Sequence, residues 1–176
     1  WLAISRRRCG AFGAPRVRLK MRLPSSGYAR TSVPNMKKRI LLFARDPGAA
    51  NTLFPVFRRL QTVDGVDVSL LGKEFALDVY ARAGLAGTDL SSLVPDATEA
   101  ALVGFLREQA YDLVVTGVGS TDMTERLLWK AGEELGIISL ALMDQWLNYE
   151  ARFALVPPGS DVGAAVRVYP TFIGSI

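Results

Sequence analysis

At 176 residues the chain has room for one domain with a sizeable core and hardly for two. Its formal charge of +4 conceals a division. Residues 1–39 hold 11 Lys and Arg and no acid, whereas from residue 40 onward 10 bases face 17 acids, so a leader of +11 precedes a body of −7 that offers no general basis for nucleic-acid binding. With no histidine and a single cysteine, Cys9, the composition excludes a structural zinc site, an internal disulfide and any Ser-His or Cys-His nucleophile pair.

In chain order, residues 1–35 are rich in Arg, Ser, Gly and Pro and show no sustained period. They read as a disordered or non-native basic extension, with an organelle transit peptide or a polyanion-binding arm as alternatives, and Met36 as the natural start. Ile40 to Ala44 then predicts a buried strand, halted by Arg45-Asp46-Pro47-Gly48. Leu53, Phe57 and Leu60 fall at helical spacing, with Asn51 or Thr52 as cap and Pro55 in the tolerant first turn. Val66 to Leu71 predicts a second strand ending in Gly72, and Phe75 to Ala83 a helix closed by Gly84. A weak strand is expected near Thr88 to Leu93, and Asp96-Ala97-Thr98-Glu99 has the pattern of a capping box. Asp112 to Thr116 is the next strand, Asp122 to Leu135 a helix stopped by Gly136, and Ile137 to Leu142 a further strand. In the tail, Ala165 to Phe172 suggests one edge strand, possible truncation included in the reading of residues 154–176. The alternation predicts an α/β, three-layer Rossmann-like domain over residues 36–153, with a mainly parallel sheet of five or six strands and helices on both faces.

Such sheets bind ligands beyond the carboxyl ends of their strands, where strand order reverses. With the order 3-2-1-4-5, three loops emerge at that edge. The first carries Asp46, Gly48, Ala49, Ala50 and Asn51; the second Gly117, Gly119, Ser120, Thr121 and Asp122; the third Asp144, Gln145, Trp146, Asn148 and Tyr149. Small residues ahead of a helix start suit an approaching phosphate, carboxylate or sugar. Asp144 and Asp46 are the candidate catalytic bases, and the other small and polar residues of the loops the candidate ligand-binding set. Simpler roles stand beside these: Asp122 and Glu125 also fit a capping box, Gly117 and Gly119 suit special backbone conformations, and Trp146 and Tyr149 suit a core or an interface. There is no G-x-x-x-x-G-K-[ST], and the G-x-G-x-x-G fingerprint is incomplete, since Asp122 stands where its third glycine belongs.

Three segments, PGAANTLFP, TGVGSTDMTERLLWKAGEELGI and LMDQWLNYEARF, make residues 37–153 resemble the N-terminal half of GT-B-type glycosyltransferases and of the related UDP-N-acetylglucosamine 2-epimerases, with the greatest likeness to a bacterial branch of that group. The resemblance implies a domain that faces a second Rossmann-like domain, the first holding the acceptor and the second the nucleotide-sugar. It places Gly48, Ala49, Ala50, Asn51, Gly119 and Ser120 on the cleft wall. The chain departs from the pattern at Asn51, where many relatives carry a histidine, and in the absence of the nucleotide-binding domain, so a fragment is expected.

The leading expectation is the acceptor-side domain of a glycosyltransferase-like protein that transfers a sugar from a nucleotide-sugar donor. The alternatives are a non-catalytic domain binding a phosphate- or carboxylate-bearing small molecule, and a nucleotide-sugar epimerase fragment. No cofactor is expected on this domain alone, and no metal. The expected partner is a sugar or nucleotide-sugar, with a homodimer as one compatible assembly. No apolar run reaches the ~20 residues of a membrane span, so a soluble cytoplasmic body is expected.

Overall fold

A computed structural model gives the architecture and describes residues 3–5, 37–145, 147–156, 163 and 165–175. The chain runs through β1 (Ala3–Ser5), β2 (Lys38–Ala44), α1 (Pro47–Leu60), β3 (Val66–Gly72), α2 (Phe75–Arg82), β4 (Thr88–Asp89), α3 (Leu90–Leu93), α4 (Glu99–Gln109), β5 (Leu113–Thr116), α5 (Thr124–Leu135), β6 (Ile138–Met143), α6 (Tyr149–Arg152) and β7 (Phe172–Ser175). Among the described residues these strands form one sheet in the order β1-β7-β6-β5-β2-β3-β4. From β4 to β7 every neighbouring pair is parallel, and β1 adds antiparallel to β7. The domain is thus α/β and Rossmann-like, with the strand order reversing between β2 and β5.

The two-residue period of a strand explains why β2 is apolar without interruption. Ile40, Leu42 and Ala44 face α1 and α2, where they meet Leu53, Phe57, Ala76 and Tyr80. Leu41 and Phe43 face the other side and join Leu102, Leu106 and Leu128 from α4 and α5. With Leu41 to Ala44 fully buried, β2 is the spine on which both helical layers rest.

Several element ends differ from the sequence-based expectation, each for a local reason. Helix α1 begins at Pro47, with Asp46 in the N-cap position, so neither Asn51 nor Thr52 is the cap and Pro55 lies within the helix. Proline is favoured at the first helical position, where its missing N–H costs nothing. The α4 cap is Thr98, whose hydroxyl accepts from Ala101 N at 3.3 Å, rather than Asp96, and Glu99 reaches Lys130 instead of turning back. The weak strand near residue 88 lasts two residues because Asp89 accepts from Ser91 N and starts α3. The last strand begins at Phe172, after Pro170, a residue that has no N–H to give to a ladder. Three residues of the basic leader, Ala3–Ser5, belong to the sheet; Cys9 and the rest of the leader lie outside the described residues. No helix among the described residues is long and apolar enough to cross a membrane.

Candidate functional site

The carboxyl ends of β2, β5 and β6 bring their three loops together, and close approaches at glycines record the meeting. A Cβ at Gly48 would collide with the Asp144 carboxylate, and one at Gly117 with the Ala49 methyl. One at Gly119 would lie 2.8 Å from Asp46 Oδ2 and 3.4 Å from both carboxyl oxygens of Glu125. Gly117 is therefore a packing residue, buried against α1, and not a wall open to ligand. Ala49 and Ala50 likewise bury their methyl groups in the core.

At the start of α1, Pro47 has no N–H and the Ala50 N–H is spent on the Asp46 carbonyl at 2.9 Å. Gly48 and Ala49 remain to point their N–H groups outward, and the Asp144 carboxylate already lies over Gly48. A carboxylate so placed is favoured by the positive end of the helix dipole.

The second loop is held by charge. Arg45 donates to Asp46 at 3.0 Å, to Glu74 at 2.5 Å and to Thr121 Oγ1 at 2.8 Å, so it ties the first loop to the second. Asp122 accepts from Thr124 N at 2.8 Å and pairs with Lys73 at 3.1 Å. Burial works to raise the Asp122 carboxyl, but the hydrogen bonds from Thr124 and Lys73 outweigh it and hold the group below its ordinary value. Only half of the expected capping box forms. Asp122 binds the helix start, while Glu125 turns inward, 1% exposed, with neither oxygen hydrogen-bonded. Burial pushes Glu125 up to about 7; its own backbone N–H and the Arg126 charge pull the other way, and the nearby charges of Asp122 and Asp46 add to the rise.

Next to it Arg126, also 1% exposed, gathers backbone carbonyls. Its guanidinium donates to Gly119 at 2.9 Å, to Ala151 at 3.1 Å, to Arg152 at 2.8 Å and to Asp122. Arg152 in turn donates to the carbonyls of Leu147 and Val118 and stands 3.4 Å from Asp144. Two arginines therefore bind the second loop to the third, and one of them also holds the candidate base.

Of the expected site residues, Gly48 and Asp144 are brought together, as are Asp46 and Gly119, and Asp122 binds the start of α5. Ser120 is half-buried on the second loop, and Thr121 is exposed and engaged by Arg45. Asn51, one turn into α1, is exposed, as are Gln145 and Asn148 on the third loop. Tyr149 packs on Phe153, ring centroids 4.9 Å apart, as a core aromatic would; Trp146 lies outside the described residues. Glu125, Arg126 and Arg152 were not among the expected site residues. The helical period did carry a signal for Glu125, which stands three residues before the inward-facing Leu128. Among the described residues no cluster of three or more His, Cys, Asp or Glu is arranged to hold a metal.

A scan against models of known protein families finds no match, and no curated protein matches the sequence. Solved structures do match in shape. A Listeria monocytogenes protein provisionally assigned as a UDP-N-acetylglucosamine 2-epimerase superposes with a TM-score of 0.50 at 10% identity, over 64% of this chain and 33% of its own. The UDP-GlcNAc 2-epimerase of Neisseria meningitidis, solved with UDP-GlcNAc, gives 0.49 at 13% identity, over 63% of this chain and 33% of its own. The S. aureus MnaA–UDP structure gives 0.48 at 15% identity, over 61% and 29%. The chain spans about a third of the length of these structures. At such identities the likeness is one of fold, and the fold it identifies is the Rossmann-like α/β type found in UDP-GlcNAc 2-epimerases.

Proposed function

We propose that this chain is the sugar-side domain of a nucleotide-sugar-processing protein of the glycosyltransferase and epimerase group, with Asp144 as the base. The observation that supports this reading is the convergence of Asp46, Asp122 and Asp144 on the starts of α1 and α5. Helix starts that would otherwise draw a phosphate are already matched by carboxylates. Carboxylates accept hydrogen bonds, and the hydroxyl groups of a sugar donate them.

In a transfer reaction Asp144 takes the proton of an attacking hydroxyl. The electron pair of that O–H bond forms the new bond to the sugar carbon, and the nucleotide leaves with the electrons of the old one. Arg152 keeps Asp144 turned toward the cleft. A second reading, a nucleotide-sugar epimerase domain, is favoured by the placement of two carboxylates, Asp46 and Asp144, around the start of α1, which suits removal of a proton and its return. There the base attacks a C–H bond in place of an O–H bond.

The test uses the full chain with UDP-N-acetylglucosamine, with and without a free sugar as acceptor, in deuterated water followed by NMR. Deuterium entering the sugar ring supports the epimerase reading, and nucleotide release that requires the acceptor supports transfer. Asp144→Asn should retain binding and lose roughly 10²–10⁴-fold in turnover. Undiminished turnover in that variant removes Asp144 from its role, and binding without any turnover supports the non-catalytic domain. If no sugar or nucleotide-sugar binds at all, the reading is lost.

A further inference from the structure

Asp46 and Glu125 come from different elements, yet both turn carboxyl oxygens toward the Cα of Gly119, at 2.8 Å and 3.4 Å from the position a side chain would take there. In other respects they are unlike. The Asp46 side chain is 34% exposed and its other oxygen is held by Arg45. Glu125 is sealed beneath the second loop, with no hydrogen-bond partner for either oxygen. A second carboxylate on the same glycine raises the cost of charging the dry one.

We propose that Asp46 and Glu125 hold one proton between them across Gly119, kept on Glu125 while the cleft is empty and passed to a bound ligand through Asp46. The identity of that ligand rests on the function proposed above; the pair itself does not. Glu125 never touches the ligand and is a positioning residue for the proton. Asp46 is the end that meets the cleft.

The groups around Glu125 fit this assignment. Asp46 from the first loop and Asp122 from the second repel its charge. Tyr80 from α2, buried with an unpartnered hydroxyl, is held in its neutral form by burial and by Glu125 itself. Arg126 is the one attracting charge on α5, and its terminal nitrogens are committed to four carbonyls. Arg45 and Lys73 act at one remove, on Asp46 and Asp122. A carboxyl that gives up its proton at about 7 is matched to work as a donor near neutrality. In the step, the Glu125 proton moves to Asp46. The new Asp46 O–H bond then breaks, and its hydrogen goes to a ligand oxygen that is taking the electron pair of its own breaking bond to carbon. Water restores the proton to the pair.

The experiment is a carbon-13 NMR titration of the side-chain carboxyls in the full chain, for wild type, Asp46→Asn and Glu125→Gln, with no ligand present. The expected result is that Glu125 titrates near neutrality and that Asp46→Asn lowers its midpoint by roughly one pH unit, because a like charge has gone. The carboxylic-acid signal assigned to Glu125 should vanish in Glu125→Gln. A Glu125 that titrates like an ordinary glutamate, or one indifferent to Asp46→Asn, overturns the proposal. The Asp46→Asn arm reads Glu125 directly, so it decides the matter even if Glu125→Gln does not fold. Turnover of UDP-N-acetylglucosamine then gives the functional arm: Asp46→Asn, left without a carboxylate to relay the proton, should lose roughly 10²–10⁴-fold in turnover. Turnover in Asp46→Asn equal to that of the wild type overturns the passage of the proton. Coupled titration in a protein that binds no sugar upholds the pair and sinks the sugar reading alone.

Discussion

Helices α1 and α5 start close to one another, with Asp46 and Glu125 both against Gly119, but their starts are made from opposite materials. The first is Pro47, Gly48, Ala49 and Ala50, residues with almost no side chain, and it is fixed by contact: Ala49 against Gly117, Gly48 against Asp144. The second is Asp122, Thr124, Glu125 and Arg126, and it is fixed by hydrogen bonds and buried charge. Small residues give a rigid wall whose only variable is shape. Buried polar groups give a wall that is equally rigid but answers to pH. One side of the cleft therefore supplies form and the other supplies chemistry.

The contrast can be broken most severely at Arg126. Arg126→Met should lower stability by about 3–5 kcal/mol, since four backbone carbonyls lose their donor and Glu125 loses a neighbouring cation, and urea denaturation would measure it. Next is the pH response of Glu125. Its pKa is higher in the folded chain, so the stability it allows is complete below its ordinary value of 4.5 and is lost as pH rises through about 7. The loss should total on the order of 3 kcal/mol, and Glu125→Gln should flatten the stability–pH curve over that window. If both variants leave the curve unchanged, the chemical side of the contrast is void.

On the α1 side, Gly117→Ala should cost about 1–3 kcal/mol at every pH, because a methyl group is forced into the Ala49 contact. A pH-dependent cost there would mean that the two walls are not separate in kind. Smallest is Thr121→Ala, which removes one acceptor of Arg45 at an exposed position. It should cost about 0.5–1 kcal/mol. Its value is to show how little the exposed link between the loops adds to the buried ones.

The same contrast explains what the sequence disclosed. Apolar runs, glycine stops and the alternation of strands with helices are local patterns, and they marked β2, β3, β5 and β6; the reversal of strand order between β2 and β5 came from the common order of such sheets, which this one has. The convergence of the three loops followed from that order. The start of α1 was misjudged because Asn51 and Thr52 are good caps, while the Pro47 that begins the helix also reads as a turn. The roles of Glu125 and Arg126 were hidden for a different reason. A charged pair behind Asp122 and Thr124 looks like the exposed first turn of a helix, and only the packing of Gly119 and residues 151–152 over it turns that surface into interior. Arg152 left no local trace at all, because its partners at Val118, Asp144 and Leu147 are set by tertiary structure.

The touch between Gly117 and Ala49 also has a mechanical meaning. It welds the loops after β2 and β5 into a single block, seated on strands that are themselves hydrogen-bonded neighbours. The loop after β6 joins that block through the contact of Asp144 with Gly48 and the polar bonds of Arg126 and Arg152, so the seat of the candidate base depends on charge where the rest depends on shape.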